Sequence, residues 1–325
     1  MKNKLSIALI ILAVLLAGGA YLISSRTKQL ETKQVSFGYQ PFGNNLAFFV
    51  AEEKGFFTKR GLTVTPEKII SANDAADAVV KGSIIGDATV PLNVVLNIEE
   101  NDPGLLKIFM SKTTSRERWS DYLLVKKGSD ITSIEQLKGK KVGGYPGTAQ
   151  QTLIKLILKK FMDEKDITTV ELAPNIQLQA LDTGQVDAIL TYDELAVTAL
   201  QNNVAQVLEE NPLGKYVMSP LYAFPYVISS KFVDENPKTA KAFIEAMNEA
   251  ADFIKSNEAE SRQIMAKWGG TKIEIANSVN LWDQTKAENI DKDAMQKLAD
   301  IFYENGVTKK KIDTSQLIIS SQSLQ

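Results

Sequence analysis

The stretch GYQPFGNNLAFFVAEEKGFFTKRGLTV, from Gly38 to Val64, leaves the chain few ways to begin folding. Val35 to Tyr39 is β-branched and aromatic, and Pro41, Gly43 and Asn44 then break it, which reads as a strand running into a turn. Leu46, Phe49, Val50 and Phe57 recur on one helical face, and Gly55 follows Lys54 at the C-cap. A second strand follows through Val64. A turn that passes from a strand into a helix N-terminus offers unpaired backbone N–H groups to a ligand, although a plain βα unit would use the same pattern.

The same grammar repeats. Asn73 to Lys81 reads as a helix with Ala75, Ala76, Val79 and Val80 inward and Gly82 as its cap, Gly86 to Val90 as a buried strand ending at Pro91, and Leu105 to Met110 as another. Lys141 to Gly144 is a strand, Tyr145 to Gly147 a turn, and a helix follows from Thr148 with Ile154, Ile157, Leu158 and Phe161 inward. Asp187 to Thr191 and Pro225 to Ser230 are further strands. Asn236 and Pro237 then cap and start the longest helix, striped by Phe243, Ile244, Met247, Ala251 and Ile254. Alternating strands and helices predict an α/β chain with mostly parallel, doubly wound sheets, and 325 residues suit two lobes. The helices between Ile254 and Asn305 and the tail beyond carry no readable motif.

Composition removes more functions than it suggests. The chain has no His and no Cys, which excludes disulfides, thiolate nucleophiles, cysteine metal sites and the usual general base. No cofactor and no metal site are expected. A formal net charge of -2 gives no electrostatic case for nucleic acid. Lys2 and Lys4 precede an apolar run from Leu5 to Ile23, about 19 residues, at the border between a signal peptide and a spanning helix. Residues 1–23 are therefore either cleaved, with Gly18 and Ala20 as the small residues, or kept as an anchor. Both put the chain outside the cytoplasm, and residues 24–34 read as a polar tether.

Three phrases carry a family resemblance. Ala51, Gly55, Phe57, Gly61, Leu62 and Val64 match the A-x-x-x-G-x-F-x-x-x-G-L-x-V phrase of solute-binding proteins for ABC importers, in the group that captures sulfonates, taurine, nitrate or the thiamine pyrimidine precursor. DITSIEQLKGKKVG, from Asp130 to Gly143, and LQALDTGQVDA, from Leu178 to Ala188, resemble two more of its phrases. The resemblance spans about Val35 to Ile254. It implies the type II periplasmic-binding-protein fold, two α/β lobes with a ligand cleft between them. One lobe would be 35–120 plus 224–325 and the other 121–223, with crossings near Asp121 and Phe224. It also implies a monomer that takes a small polar organic solute by lobe closure and hands it to an ABC permease. A ligand-sensing ectodomain is the alternative. The pyrimidine-synthesising enzymes on this fold depend on His and a cysteine-rich motif, both missing here.

Ligands on such sheets bind beyond the carboxyl ends of strands, and four mouths can be read. The first offers Asn44 and Asn45, and the second Thr89. At the third, Gly147 permits close backbone approach and Thr148 is the expected N-cap, at a helix dipole that favours an anion. At the fourth, Tyr192 stands in the aromatic place of the family's W-x-P phrase, but Glu194 replaces the proline. That carboxylate argues against a sulfonate, and Glu194 or Asp193 would instead pair with an amine or aminopyrimidine nitrogen. Both acids would also be at home solvated at a helix N-terminus. Arg116, Arg118 and Trp119, with Asp121 and Tyr222 near the crossings, are weaker candidates.

Overall fold

The computed structural model describes residues 33–324. The expected targeting segment 1–23, and all of the tether 24–34 except Lys33 and Gln34, lie outside the described residues. No helix among the described residues is long and apolar enough to cross a membrane.

Two sheets organise the chain. The first contains β1 (Gln34–Tyr39), β2 (Thr63–Lys68), β3 (Gly86–Asp87), β4 (Leu106–Thr114), β10 (Leu221–Ser229) and β11 (Asp283–Lys286). The second contains β5 (Asp121–Lys126), β6 (Lys141–Gly144), β7 (Thr168–Glu171), β8 (Ala188–Tyr192) and β9 (Ala205–Glu210). Their orders are β11-β4-β10-β3-β1-β2 and β7-β6-β8-β5-β9. The expectation of mostly parallel sheets fails. β1 runs parallel to β2 and β3, but β10 is antiparallel to β3 and β4, and β11 to β4. In the second sheet β6 is parallel to β7 and β8, whereas β5 is antiparallel to β8 and β9. The chain leaves the first sheet along β4 and returns to it along β10, so that pair must oppose, and no crossover helix reverses it.

The opening unit folds as its pattern dictates. Helix Leu46–Glu53 ends at Lys54, and Gly55 follows at φ +67°, a conformation that costs glycine little. Phe57 lies past the helix end yet is 1% exposed, because it stacks on Phe243 with ring centroids 4.9 Å apart. Phe37 meets Phe48 and Phe243 at 4.9 Å each, so the first strand, the first helix and helix Pro237–Ser256 share one aromatic core. Each such ring contributes on the order of 1.5–3 kcal/mol by burial. The stripe Phe243, Ile244, Met247, Ala251 and Ile254 is buried throughout.

Three local expectations are corrected. Val80 is 40% exposed, since helix Ala72–Lys81 buries Ala75, Ala76 and Val79 and turns Val80 off that face. β3 is shorter than Gly86 to Val90, because Asp87 Oδ1 accepts both the N–H and the hydroxyl of Thr89 and pulls the chain out of the ladder. Thr148 is not the N-cap of helix Thr148–Leu158. Gly147 takes that position at φ 111°, and Thr148 is the first helical residue and exposed.

Candidate functional site

Strand ends from both sheets converge on one aromatic cluster. Tyr192 closes β8, Tyr145 follows β6, Phe224 lies in β10 and Trp282 precedes β11. The Tyr192 ring is 5.5 Å from Tyr145, 5.8 Å from Phe224 and 5.9 Å from Trp282, and Phe224 is 5.4 Å from Trp282. The tilted and edge-on arrangements are those that aromatic quadrupoles favour. Tyr145, Tyr192 and Phe224 are half-buried, so the cluster keeps one side towards solvent. The Tyr192 hydroxyl donates to Gln150 Oε1 at 3.0 Å, while Gln150 Nε2 is buried without a partner. Burial pushes the Tyr192 hydroxyl far above the usual phenol range, so it acts as a neutral donor.

Carboxylates surround this cluster. Asp193 is 4% exposed, its Oδ2 accepts from Trp282 Nε1 at 3.0 Å, and its Oδ1 has no partner. Burial, then Asp121 and Glu194, raise it well above the aspartate range, against hydrogen bonding from Trp282 and the Arg262 guanidinium, which lower it. Asp121 is buried opposite Tyr192 across β5 and β8, and its Oδ2 accepts from the Leu213 N–H at 2.8 Å. Burial lifts it to about 6. Glu194 lies in the first turn of helix Asp193–Gln201 and reaches across to the first sheet's elements. Its Oε1 accepts from the Gly43 N–H at 2.6 Å and its Oε2 from the Thr271 hydroxyl at 2.5 Å. Both oxygens are thus taken by the protein. A side chain on Gly43 would collide with Met265 and with Glu194 Oε1, which explains the glycine.

A second polar knot lies under the first mouth. Lys112, in β4, is 1% exposed, and its ammonium donates to Asn45 Oδ1 at 2.9 Å and to the Ala88 carbonyl. It also sits 5.2 Å from the centroid of the Tyr226 ring. Burial lowers Lys112 to about 7, and Asp87 opposes that shift. Asp87 is raised by its own burial, against the hydrogen bonds from Thr89 and the charge of Lys112.

The expected residues therefore separate. Tyr192 stands at the centre of the aromatic cluster and Glu194 at its edge, with Asp121 behind. Asn45 is wholly buried and engaged with Lys112 and the Gln40 carbonyl. Asn44 keeps a buried Oδ1 without a partner, and Thr89 is committed to Asp87. Gly147 and Thr148 are exposed, and the Gly147 N–H donates to Glu171 Oε1 at 3.2 Å, so a protein carboxylate sits at that helix N-terminus. Arg118 is exposed, 3.7 Å from Asp283, and Trp119 offers its carbonyl to Asn280. The Tyr222 hydroxyl accepts from the Asp291 N–H, away from the cluster. Arg116 lines an open cavity of about 790 Å³ with Lys160, Tyr216, Asp293 and Lys297, which none of the four rings enters.

Sequence reasoning missed Trp282, Lys112 and Asp87, and read Phe224 only as a crossing. Lys112 had a signal, the inner of the two lysines in the otherwise uncharged strand LKIFMSKTT. Trp282 lay in the unread C-terminal part, and only its rarity among the 3 tryptophans marked it. Among the described residues no group of three or more acidic side chains is arranged to hold a metal ion.

Comparison with known proteins places these features in context. Residues 43–261 match the family model described as NMT1/THI5 like. A Brucella abortus (strain 2308) protein, named for binding without a stated ligand, is 26% identical over 245 residues, 74% of this chain and 70% of its own. A 4-amino-5-hydroxymethyl-2-methylpyrimidine phosphate synthase of Saccharomyces cerevisiae is 21% identical over 238 residues, 69% of this chain and 68% of its own. The crystal structure of the periplasmic aliphatic sulphonate binding protein SsuA from Escherichia coli superposes with a TM-score of 0.72 at 20% identity, covering 89% of this chain and 92% of that one. The fold is that of the periplasmic binding proteins.

Proposed function

Because the chain belongs to the NMT1/THI5 like family, we propose that it is the extracytoplasmic solute-binding component of an ABC importer. It captures a small polar organic solute by lobe closure and delivers it to a membrane permease. The observation that carries this reading is the cluster of Tyr145, Tyr192, Phe224 and Trp282, drawn from strand ends of both sheets and ringed by buried polar atoms without partners. A ligand seated on rings from both sheets would add contacts to both halves at once and so stabilise the closed state. The lobes proposed are 35–120 plus 224–325 and 121–223, with Leu221 to Ala223 already inside β10. The chain acts as a monomer, and residues 1–23 direct it out of the cytoplasm whether cleaved or retained as an anchor.

Relatives named as binding proteins and the resemblance to SsuA support transport. The synthase relative supports catalysis, but a chain without His or Cys lacks the groups on which such chemistry would turn. A sensing ectodomain would share the site and differ in its partner. Micromolar capture needs roughly 8 kcal/mol, which a few charge-assisted hydrogen bonds at about 1.5–3 kcal/mol each, with aromatic packing, supply. The test is a thermal-shift screen of small polar solutes on the full chain, followed by Tyr192→Ala and by uptake of any hit in cells with and without the gene. A hit whose affinity survives Tyr192→Ala moves the site elsewhere. Uptake that does not depend on the gene removes the importer role.

A further inference from the structure

The charge around the aromatic cluster is one-sided. Asp121, Asp193 and Glu194 lie close enough for Asp121 and Glu194 to oppose ionisation of Asp193. The neighbouring cations are committed elsewhere. The Arg262 guanidinium, which acts on Asp193, donates to the Ala276 and Val279 carbonyls and to Glu258, and Lys215, which acts on Asp121, pairs with Glu209. Glu194 has spent both oxygens on Gly43 and Thr271, and Asp121 has one oxygen on Leu213. Asp193 Oδ1 remains without a partner beside Trp282, and Gln150 at 8% exposure carries an uncommitted amide nitrogen beside Tyr192. Asp193 on Trp282 and Gln150 on Tyr192 thus each keep an atom to spare beside a ring of the cluster, and Asp121 keeps its Oδ1.

We infer that the solute is a small organic cation, an ammonium or amidinium group on a compact apolar body, with Asp193 as its counter-charge and Tyr192 and Trp282 as its aromatic walls. This rests on the solute-binding reading and narrows it. Aromatic faces attract a cation through their quadrupole, and the cation's charge favours ionisation of the buried Asp193 carboxyl, whose unpartnered oxygen then accepts its N–H groups. An anion would meet three carboxylates instead. Nor is it offered the nearby helix N-terminus at Gly147, where Glu171 already accepts the N–H. Gln150 would take a polar substituent of the body.

Isothermal titration of the full chain with benzylammonium and with phenylmethanesulfonate, matched in shape and opposite in charge, tests the inference. Benzylammonium is expected to bind, Asp193→Asn to weaken it at least 10-fold, and the sulfonate to give no heat. The asparagine keeps an oxygen for Trp282 Nε1, and a melting curve like that of the unaltered chain confirms that the variant is folded. Sulfonate binding that Tyr192→Ala abolishes would overturn the cation and leave the solute-binding reading standing. Benzylammonium binding unchanged in Asp193→Asn overturns the counter-charge. Binding of neither probe overturns the inference, and the wider solute screen then decides the reading beneath it.

Discussion

Glu194 offers the sharpest test, because its two oxygens tie helix Asp193–Gln201 to the turn after β1 and to Thr271. Hydrogen bonds to a charged acceptor contribute about 1.5–3 kcal/mol each. Against that stands the cost of burying the carboxylate, the main cause of its raised pKa. A net of about 2.8 kcal/mol for the pair is a reasonable working value, equivalent to roughly 100-fold in an equilibrium constant. Glu194→Ala strips acceptors from the buried Gly43 N–H and from the Thr271 hydroxyl. Glu194→Gln keeps both contacts, with Oε1 accepting from Gly43 and Nε2 donating to Thr271, and loses only charge assistance, about half the strength. Amide hydrogen exchange reads this without any solute. The peptide containing Gly43 should lose roughly 100-fold protection in Glu194→Ala and roughly 10-fold in Glu194→Gln. Equal, unchanged exchange at Gly43 in both variants would refute the clasp.

Three further outcomes follow from buried groups. Asp121 titrates at about 6 in the folded chain, against about 3.9 when unfolded. The native state therefore holds the proton more tightly, and Asp121 makes stability fall as pH rises from about 4 to about 6. Asp121→Asn should gain on the unaltered chain by up to about 3 kcal/mol across that window in urea titrations, and parallel profiles would contradict it. Lys112 shows the lysine counterpart, lowered to about 7 when folded, so the unfolded chain binds more protons above that pH. Stability should rise between pH 7 and roughly 10 in the unaltered chain and lose this component in Lys112→Met, as melting temperatures against pH would reveal. Gly86 lies against the Val227 carbonyl, where a Cβ would collide with backbone that has no rotamer to yield. Gly86→Ala should cost about 3 kcal/mol or more in chemical denaturation, and a loss under about 1 kcal/mol would mean that β10 can shift.

Much of the fold was legible because its signals are local. The strand, turn and helix of the opening stretch were read within a residue or two, since β-branching, helical spacing and the glycine stop act over a few positions. Asn236 and Pro237 announced the long helix for the same reason. The mixed strand directions were not legible, because periodicity carries no sign of whether a strand runs with or against its neighbour. Val80 shows the smaller limit, an apolar residue in an apolar helix whose facing depends on what packs beside it.

The candidate site divides in the same way. Sequence alone marked Tyr192, Glu194 and Asp193 at one strand end, and the missing His and Cys argued for binding over chemistry. Only the tertiary structure distinguished the two acids. Glu194 bonds to Gly43 across 151 positions, and Asp193 takes Trp282 across 89, leaving one oxygen free. Asn45 looked like a ligand contact until Lys112, 67 positions away, was found against it. A residue's type states what it can bond, but its partner is settled by which distant strand ends are brought together. That juxtaposition comes from the sheet order and the burial of the core, to which no short stretch of chain has access.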